Sequence, residues 1–209
     1  MRVGVLGGSF NPVHIGHLRL ALEALAVEHL DRVELVPAAV PPHKQNEILM
    51  PFSKRCELLE AATHSIPELV VNPLEGQRQG PSYTVYTLRV FHASVAPEEL
   101  FFLLGCGDFL TLPHWYAWED LLQLTNFCVV GRNGEGREAL RSFVEDHCQA
   151  KPLAEDLWQL PGASRRVRFL PIPRLDVSSS LIRRYLRHDR SIRFLVPDCV
   201  VEVLEQGMQ

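Results

Sequence analysis

Short apolar runs alternate with stretches of helical periodicity along the chain, and this alternation constrains the fold more than any other feature. Val3 to Leu6 forms a compact apolar run closed by Gly7-Gly8, which reads as a buried strand ending in a tight turn. From His17 the period changes: Leu18, Leu22 and Leu25, then His29-Leu30, fall on one face at helical spacing. Arg32 to Val36, Leu69 to Val71, Leu100 to Leu104, Phe127 to Val130 and Val167 to Leu170 are further strand candidates. Between them lie helical segments in "SKRCELLEAATH", in "YTVYTLRVFHAS" with Ser82 as its cap, from about Trp118, and in "GREALRSFVEDH". "GCG" after Leu104 reads as a glycine turn, and Lys151 to Ser164 reads as a connection without regular structure. Strands alternating with helices imply right-handed crossovers and a parallel sheet, hence a doubly wound, Rossmann-like α/β fold. One domain over residues 1–209 is expected, with 178–209 as a C-terminal helical subregion built from "VSSSLIRRYLRH" and "PDCVVEVLEQ".

Charge and cysteine usage exclude several partner classes. With 21 basic and 25 acidic residues the net charge is −4, which is no electrostatic footprint for nucleic acid. The five cysteines include no C-x-x-C pair, so neither a disulfide framework nor a zinc knuckle is indicated, and a cytoplasmic location is expected. No run approaches the ~18 to 20 apolar residues of a membrane span, and no basic leader precedes "MRVGVLGG".

The stretch "GGSFNPVHIGHL", Gly7 to Leu18, carries the chemistry. In an open parallel sheet the ligand sits at the carboxyl ends of the strands, where strand order reverses. Gly7 and Gly8 would let backbone approach a ligand there, and the following helix would offer free N–H groups to a phosphate. His14 and His17 lie roughly one turn apart and can meet the same anion. The pattern is not G-x-G-x-x-G, so it does not indicate a dinucleotide cofactor, and no third ligand at zinc spacing accompanies the two histidines. A second anion site is expected near the other end of the chain, where "VSSSLIRRYL" sets three hydroxyls at a helix start and Arg183 a turn later.

Together these stretches resemble the nucleotidyltransferase superfamily, through its H-x-G-H element and its I-S-S-T-x-I-R motif. Ser178, Ser179, Ser180 and Arg183 take the matching positions, with Ser180 in place of threonine. "PPHK", "PSYTVYTL" and "LPHWYAWEDLL" narrow the resemblance to the bacterial nicotinate-mononucleotide adenylyltransferases, in five ordered motifs from Arg2 to about Val201.

The resemblance implies transfer of AMP from ATP to nicotinate mononucleotide, with Mg2+ held mainly through the ATP phosphates. It implies catalytic roles for His14, His17 and Arg183, and an ATP site that adds Gly8, Ser9, Phe10, Asp108, Ser178 and Ser179. Lys44, Thr84, Trp115 and Tyr116 would hold the mononucleotide, with the Trp115 ring on the pyridine and the Thr84 and Tyr116 N–H groups on its carboxylate. Besides Ser180, two departures limit what carries over from the family, and a third is milder. Gly107 stands where an aspartate belongs, one residue before Asp108, and Tyr86 replaces a frequent aspartate. Asn11 stands for another aspartate and can close the turn before Pro12. Rival readings are the same fold acting on nicotinamide mononucleotide or pantetheine phosphate, or a nucleotide sensor without catalysis. A homodimer is the option carried for oligomeric state.

Overall fold

The computed structural model describes the chain apart from residues 45–47, 97–98, 132–135, 163, 174 and 207–209. Eight strands form one sheet: β1 (Val3–Gly8), β2 (Arg32–Pro37), β3 (Leu69–Val71), β4 (Leu100–Gly105), β5 (Asn126–Val130), β6 (Lys151–Ala154), β7 (Leu157–Gln159) and β8 (Arg166–Leu170). Their order is β3-β2-β1-β4-β5-β8-β7-β6, with β1 to β5 and β8 parallel and the β6–β7 hairpin antiparallel at one edge. The helices are α1 (Ile15–Val27), α2 (Phe52–Thr63), α3 (Thr84–His92), α4 (Cys106–Leu110), α5 (Trp118–Leu124), α6 (Arg137–Ser142), α7 (Ser179–Leu186) and α8 (Asp198–Gln206).

The helices cover both faces of the sheet, which is why β4 throughout and β5 from Phe127 onward are apolar at successive positions rather than alternately. Phe101 and Leu103 of β4 enter the layer beneath α1, α2, α7 and α8. Phe102 and Leu104 enter the opposite layer, beneath α3 to α6. Ile182 of α7 and Val200 and Val201 of α8 belong to the same apolar cluster as Leu6 and Leu58, so the C-terminal helices complete that layer. At the amino end of the sheet the buried carboxylate of Glu28 is bonded by both Arg2 and Arg168.

Several local expectations are corrected. Gly7 and Gly8 do not form a turn: β1 runs through both, in register with Val36 and Pro37, and the turn follows at Phe10, whose φ is 43°. The buried stripe of α1 is Leu18, Ala21 and Ala24, with Leu20, while Leu22 and Leu25 are only partly buried; the small alanines bring the helix backbone close to the sheet. Ser82 does not cap α3. Its Oγ accepts from the Val40 N–H at 3.0 Å while its own N–H donates to the Val40 carbonyl at 2.9 Å, tying the loop after β2 to the start of α3. Gly105 to Gly107 is a direct strand-to-helix junction without left-handed backbone, because α4 begins at Cys106. The connection from Lys151 to Ser164 contains β6 and β7; all four β6 residues are exposed, so the hairpin had no apolar alternation to reveal it.

The topology creates one crevice. β1 pairs with β2 as far as Gly8 and Pro37, but with β4 only as far as Leu6 and Leu103. The carboxyl ends of β1 and β4 therefore separate where the strand order reverses.

Candidate active site at the β1–β4 crevice

Gly7 and Gly8 are not required by the protein's own packing. A Cβ on Gly7 would lie 3.7 Å from the Phe102 ring and one on Gly8 3.4 Å from the Phe10 ring, both ordinary contacts. What the missing side chains leave is space above the end of β1. Beyond them, the fully buried Asn11 precedes a cis peptide to Pro12. Its Oδ1 accepts from the Met50 N–H at 2.9 Å and its Nδ2 donates to the Ile48 carbonyl at 3.5 Å. Asn11 thus fastens the far end of the long loop after β2, rather than simply closing its own turn.

His14 is the N-cap of α1, and His17 occupies its N3 position. The Nδ1 of His17 accepts from the His14 backbone N–H at 3.2 Å, an imidazole version of the capping box usually made by Glu or Gln. That bond assigns the proton of a neutral His17 ring to Nε2. The two rings stack with centroids 3.6 Å apart, and Phe10 packs edge-on against His17 at 4.9 Å. Gly16 makes the stack possible, since a Cβ there would lie 3.1 Å from both the His14 ring and Val177.

The start of α7 docks on the same turn. Ser178 caps α7, its Oγ accepting from the Leu181 N–H at 3.2 Å, so this oxygen serves the helix. Ser179 Oγ donates to the Pro12 carbonyl at 2.8 Å. Arg183 donates to the Asn11 carbonyl at 2.9 Å and to Ser180 Oγ at 3.2 Å. Gly8 to His17 and Ser178 to Arg183, distant in sequence, are one structural unit.

On the β4 side, α4 carries Asp108 in its first turn, with its carboxylate 3.5 Å from where a Cβ of Gly105 would stand. A Cβ on Gly107 would meet nothing within 4 Å. Consecutive helical residues point ~100° apart, and of this pair Asp108 is the one folded back over the strand end. Trp115 is half-buried between Phe102, at 6.4 Å, and His43, at 6.2 Å. Thr84 is the first residue of α3, so its N–H lies at the positive end of a helix. Tyr116 is exposed and stacks on Tyr83 at 4.5 Å. Tyr86 donates to the Tyr116 hydroxyl at 3.4 Å, and this bond raises the Tyr86 phenol above its ordinary pKa. A phenol link between α3 and the Tyr116 loop thus stands where a carboxylate was expected. Lys44 closes the short 3-10 turn Pro42–Lys44, and its side chain lies outside the described residues.

The cytidylyltransferase-like family matches residues 5–185. A protein of Geobacter metallireducens named "Probable nicotinate-nucleotide adenylyltransferase" is 38% identical over 99% of the chain and 96% of the relative. One of Pseudomonas fluorescens with the same name is 39% identical over 98% of the chain and 94% of the relative. The chain belongs to the nicotinate-nucleotide adenylyltransferase family. Two structures of the Plasmodium falciparum nicotinic acid mononucleotide adenylyltransferase, one complexed with NaAD and one with APC, have the same fold. Their TM-scores are 0.72 and 0.70 at 16% identity, over 99% of this chain and 95% and 96% of those chains.

Within this family fold, one residue at the site escaped sequence reasoning. Arg55 on α2 is 1% exposed and donates to the carbonyls of Ser9 and Ala38, each at 2.8 Å, and of Met50 at 3.1 Å. A signal existed: Arg55 shares the helical stripe of the buried Leu58, Leu59 and Ala62, where a solvated arginine would not be placed. Among the described residues no cluster of three or more His, Cys, Asp or Glu could hold a metal ion, and no helix is long and apolar enough to cross a membrane.

Proposed function

We propose that this member of the family transfers AMP from ATP to nicotinate mononucleotide, giving deamido-NAD and pyrophosphate. The observation that carries the reading is the convergence of the His14–His17 stack with Ser179 and Arg183 on one turn at the β1–β4 crevice. In the reaction a phosphate oxygen of the mononucleotide attacks the α-phosphorus of ATP. The bond from that phosphorus to the bridging oxygen breaks, and the electron pair leaves with pyrophosphate. No proton need be taken from a phosphate dianion, so the protein's work is positioning and charge stabilisation. The Nε2–H of His17, the His14 imidazole and the guanidinium of Arg183 supply donors to the charge that builds on the departing phosphates.

The crevice presents imidazole, guanidinium, hydroxyl and amide groups and the Asp108 carboxylate, with no cluster of three or more metal-ligating side chains among the described residues, which suits anions rather than a bare cation. Mg2+ would accordingly arrive with ATP rather than in a protein cage, and would supply neutralisation of the triphosphate charge. On the other side of the crevice, Trp115 offers a flat aromatic face to the cationic pyridine ring. Lys44, whose side chain lies outside the described residues, is proposed by its chemistry alone as a cation for the mononucleotide phosphate. The amides of Thr84 and Tyr116 suit a carboxylate and would face the N–H2 of a carboxamide unfavourably. All five cysteines are free thiols, which supports a reducing, cytoplasmic setting.

The test is pyrophosphate release with MgATP and equal concentrations of nicotinate mononucleotide, nicotinamide mononucleotide or pantetheine phosphate. Strong preference for the acid is expected. Preference for the amide would overturn the roles given to Thr84 and Tyr116, and no turnover with any acceptor would overturn the reaction.

A further inference from the structure

Arg55 is a buried cation whose hydrogen-bonded partners are carbonyls of three different segments. Ser9 belongs to the turn after β1, Ala38 follows β2, and Met50 ends the long loop. The last pair of segments encloses the whole loop that carries His43 and Lys44. Three further bonds tie the assembly: the Ala38 N–H donates to the Gly8 carbonyl at 2.8 Å, and Asn11 holds Ile48 and Met50 with one bond each. The Phe52 ring lies 5.4 Å from the guanidinium, and burial lowers the pKa of Arg55 from its ordinary value.

The geometry has a directional consequence. In a planar trans peptide the C=O of one residue and the N–H of the next point in opposite directions. Asn11–Pro12 is the cis bond of this region, so the Ser9–Phe10 and Ala38–Ala39 peptides are trans. Drawing the Ser9 and Ala38 oxygens onto one guanidinium nitrogen therefore turns the Phe10 and Ala39 N–H groups away from the core. The third partner, Met50, precedes Pro51, which has no N–H to turn. A guanidinium fixes these directions where an ammonium would not, because its donors form a rigid planar fork spread over separate nitrogens and an ammonium offers three rotating donors from one point.

We propose that Arg55 is a positioning residue of the phosphate site: by gathering these three carbonyls it aims the Phe10 and Ala39 amides outward and holds both ends of the long loop against the β1 turn. The proposal rests on the nucleotide reading above. It assigns Arg55 no contact with substrate.

The test measures MgATP affinity by calorimetry, without acceptor, on wild type and on folded Arg55→Lys. A tenfold or greater loss is expected in Arg55→Lys, whereas Leu140→Ala, a core change on α6 in the opposite layer compared at matched residual stability, should bind as wild type does. Arg55→Lys with wild-type affinity would overturn the proposal, as would an equal loss in Leu140→Ala, which would reduce the effect to general destabilisation. Should Arg55→Lys not fold, amide NMR of the wild type decides: the Phe10 and Ala39 resonances should shift downfield with MgATP, and unmoved resonances would overturn the proposal. ATP binding without turnover of any mononucleotide would defeat the proposed reaction while leaving the Arg55 test intact.

Discussion

The guanidinium of Arg183 donates a 2.9 Å hydrogen bond to the carbonyl of Asn11, 172 residues earlier in the chain. Ser179 does the same for the neighbouring carbonyl of Pro12 at 2.8 Å. The C-terminal motif therefore braces the turn that the N-terminal motif forms. Arg183→Lys loses the fork, and a charge-assisted bond of this kind contributes ~1.5 to 3 kcal/mol. Catalytic efficiency with ATP should fall by ~10², together with a lower melting temperature. Kinetics and calorimetry on one preparation check both, and unchanged efficiency would remove Arg183 from the mechanism.

His17 caps α1 through Nδ1, and the proposed function gives its Nε2–H a second, separable task as a donor to phosphate. His17→Ala should lower turnover by ~10² or more and also cost ~1 kcal/mol of stability through the lost cap. Gln at N3 is a normal capping-box residue, so His17→Gln should recover the stability and not the turnover. Recovery of both in His17→Gln would show that the imidazole matters only as a cap.

Trp115 is held by Phe102 and His43 with its ring half-exposed at the crevice. Trp115→Ala should raise the KM for the mononucleotide by ~10-fold, the equivalent of roughly 1.4 kcal/mol of stacking. The KM for ATP should not move. A change confined to ATP would place the tryptophan on the wrong substrate.

Two glycines make opposite predictions. Alanine normally gains ~0.5 to 1 kcal/mol over glycine within a helix. At Gly107 the new Cβ meets nothing, so Gly107→Ala should be more stable than wild type. At Gly16 it meets the His14 ring and Val177 at 3.1 Å, so the helical gain should be cancelled and turnover should drop as the histidine stack is displaced. Thermal melts and initial rates of the two variants distinguish these outcomes.

Burial pushes the Cys148 thiol from 9.0 up to about 11. The folded state thus favours the neutral thiol, and that contribution is complete below the unfolded pKa and lost as pH rises through the folded one. The Cys148 contribution to stability should be level below about pH 9 and decline toward about pH 11. Denaturant midpoints across that range check this, and Cys148→Ala should show a shallower decline. The buried Cys106 and Cys128 are shifted in the same direction and add to the slope.

Much of the architecture was legible because buried parallel strands are apolar without interruption, as in Leu100 to Leu104, and amphipathic helices repeat at their own period. Where the expected local structure failed, the competing interaction was non-local. Ser82 had the chemistry of a cap but found Val40, 42 residues away. β6 had no apolar alternation because an exposed edge strand needs none. Gly7-Gly8 looked like a turn, yet pairing with β2 carried the strand through it.

By itself the sequence determined most of the succession of strands and helices, the His14–His17 and Ser178–Arg183 motifs and the aromatic segment, since each is written in residues that are neighbours along the chain. Only the tertiary structure decided that Arg183 and Ser179 would brace the Asn11–Pro12 turn, that Arg55 would lie beneath it, and that Tyr86 would bond Tyr116. The physical reason is that these bonds join segments whose proximity is set by strand order. β1 separates from β4 where that order reverses, and the start of α7 docks on the turn that follows β1.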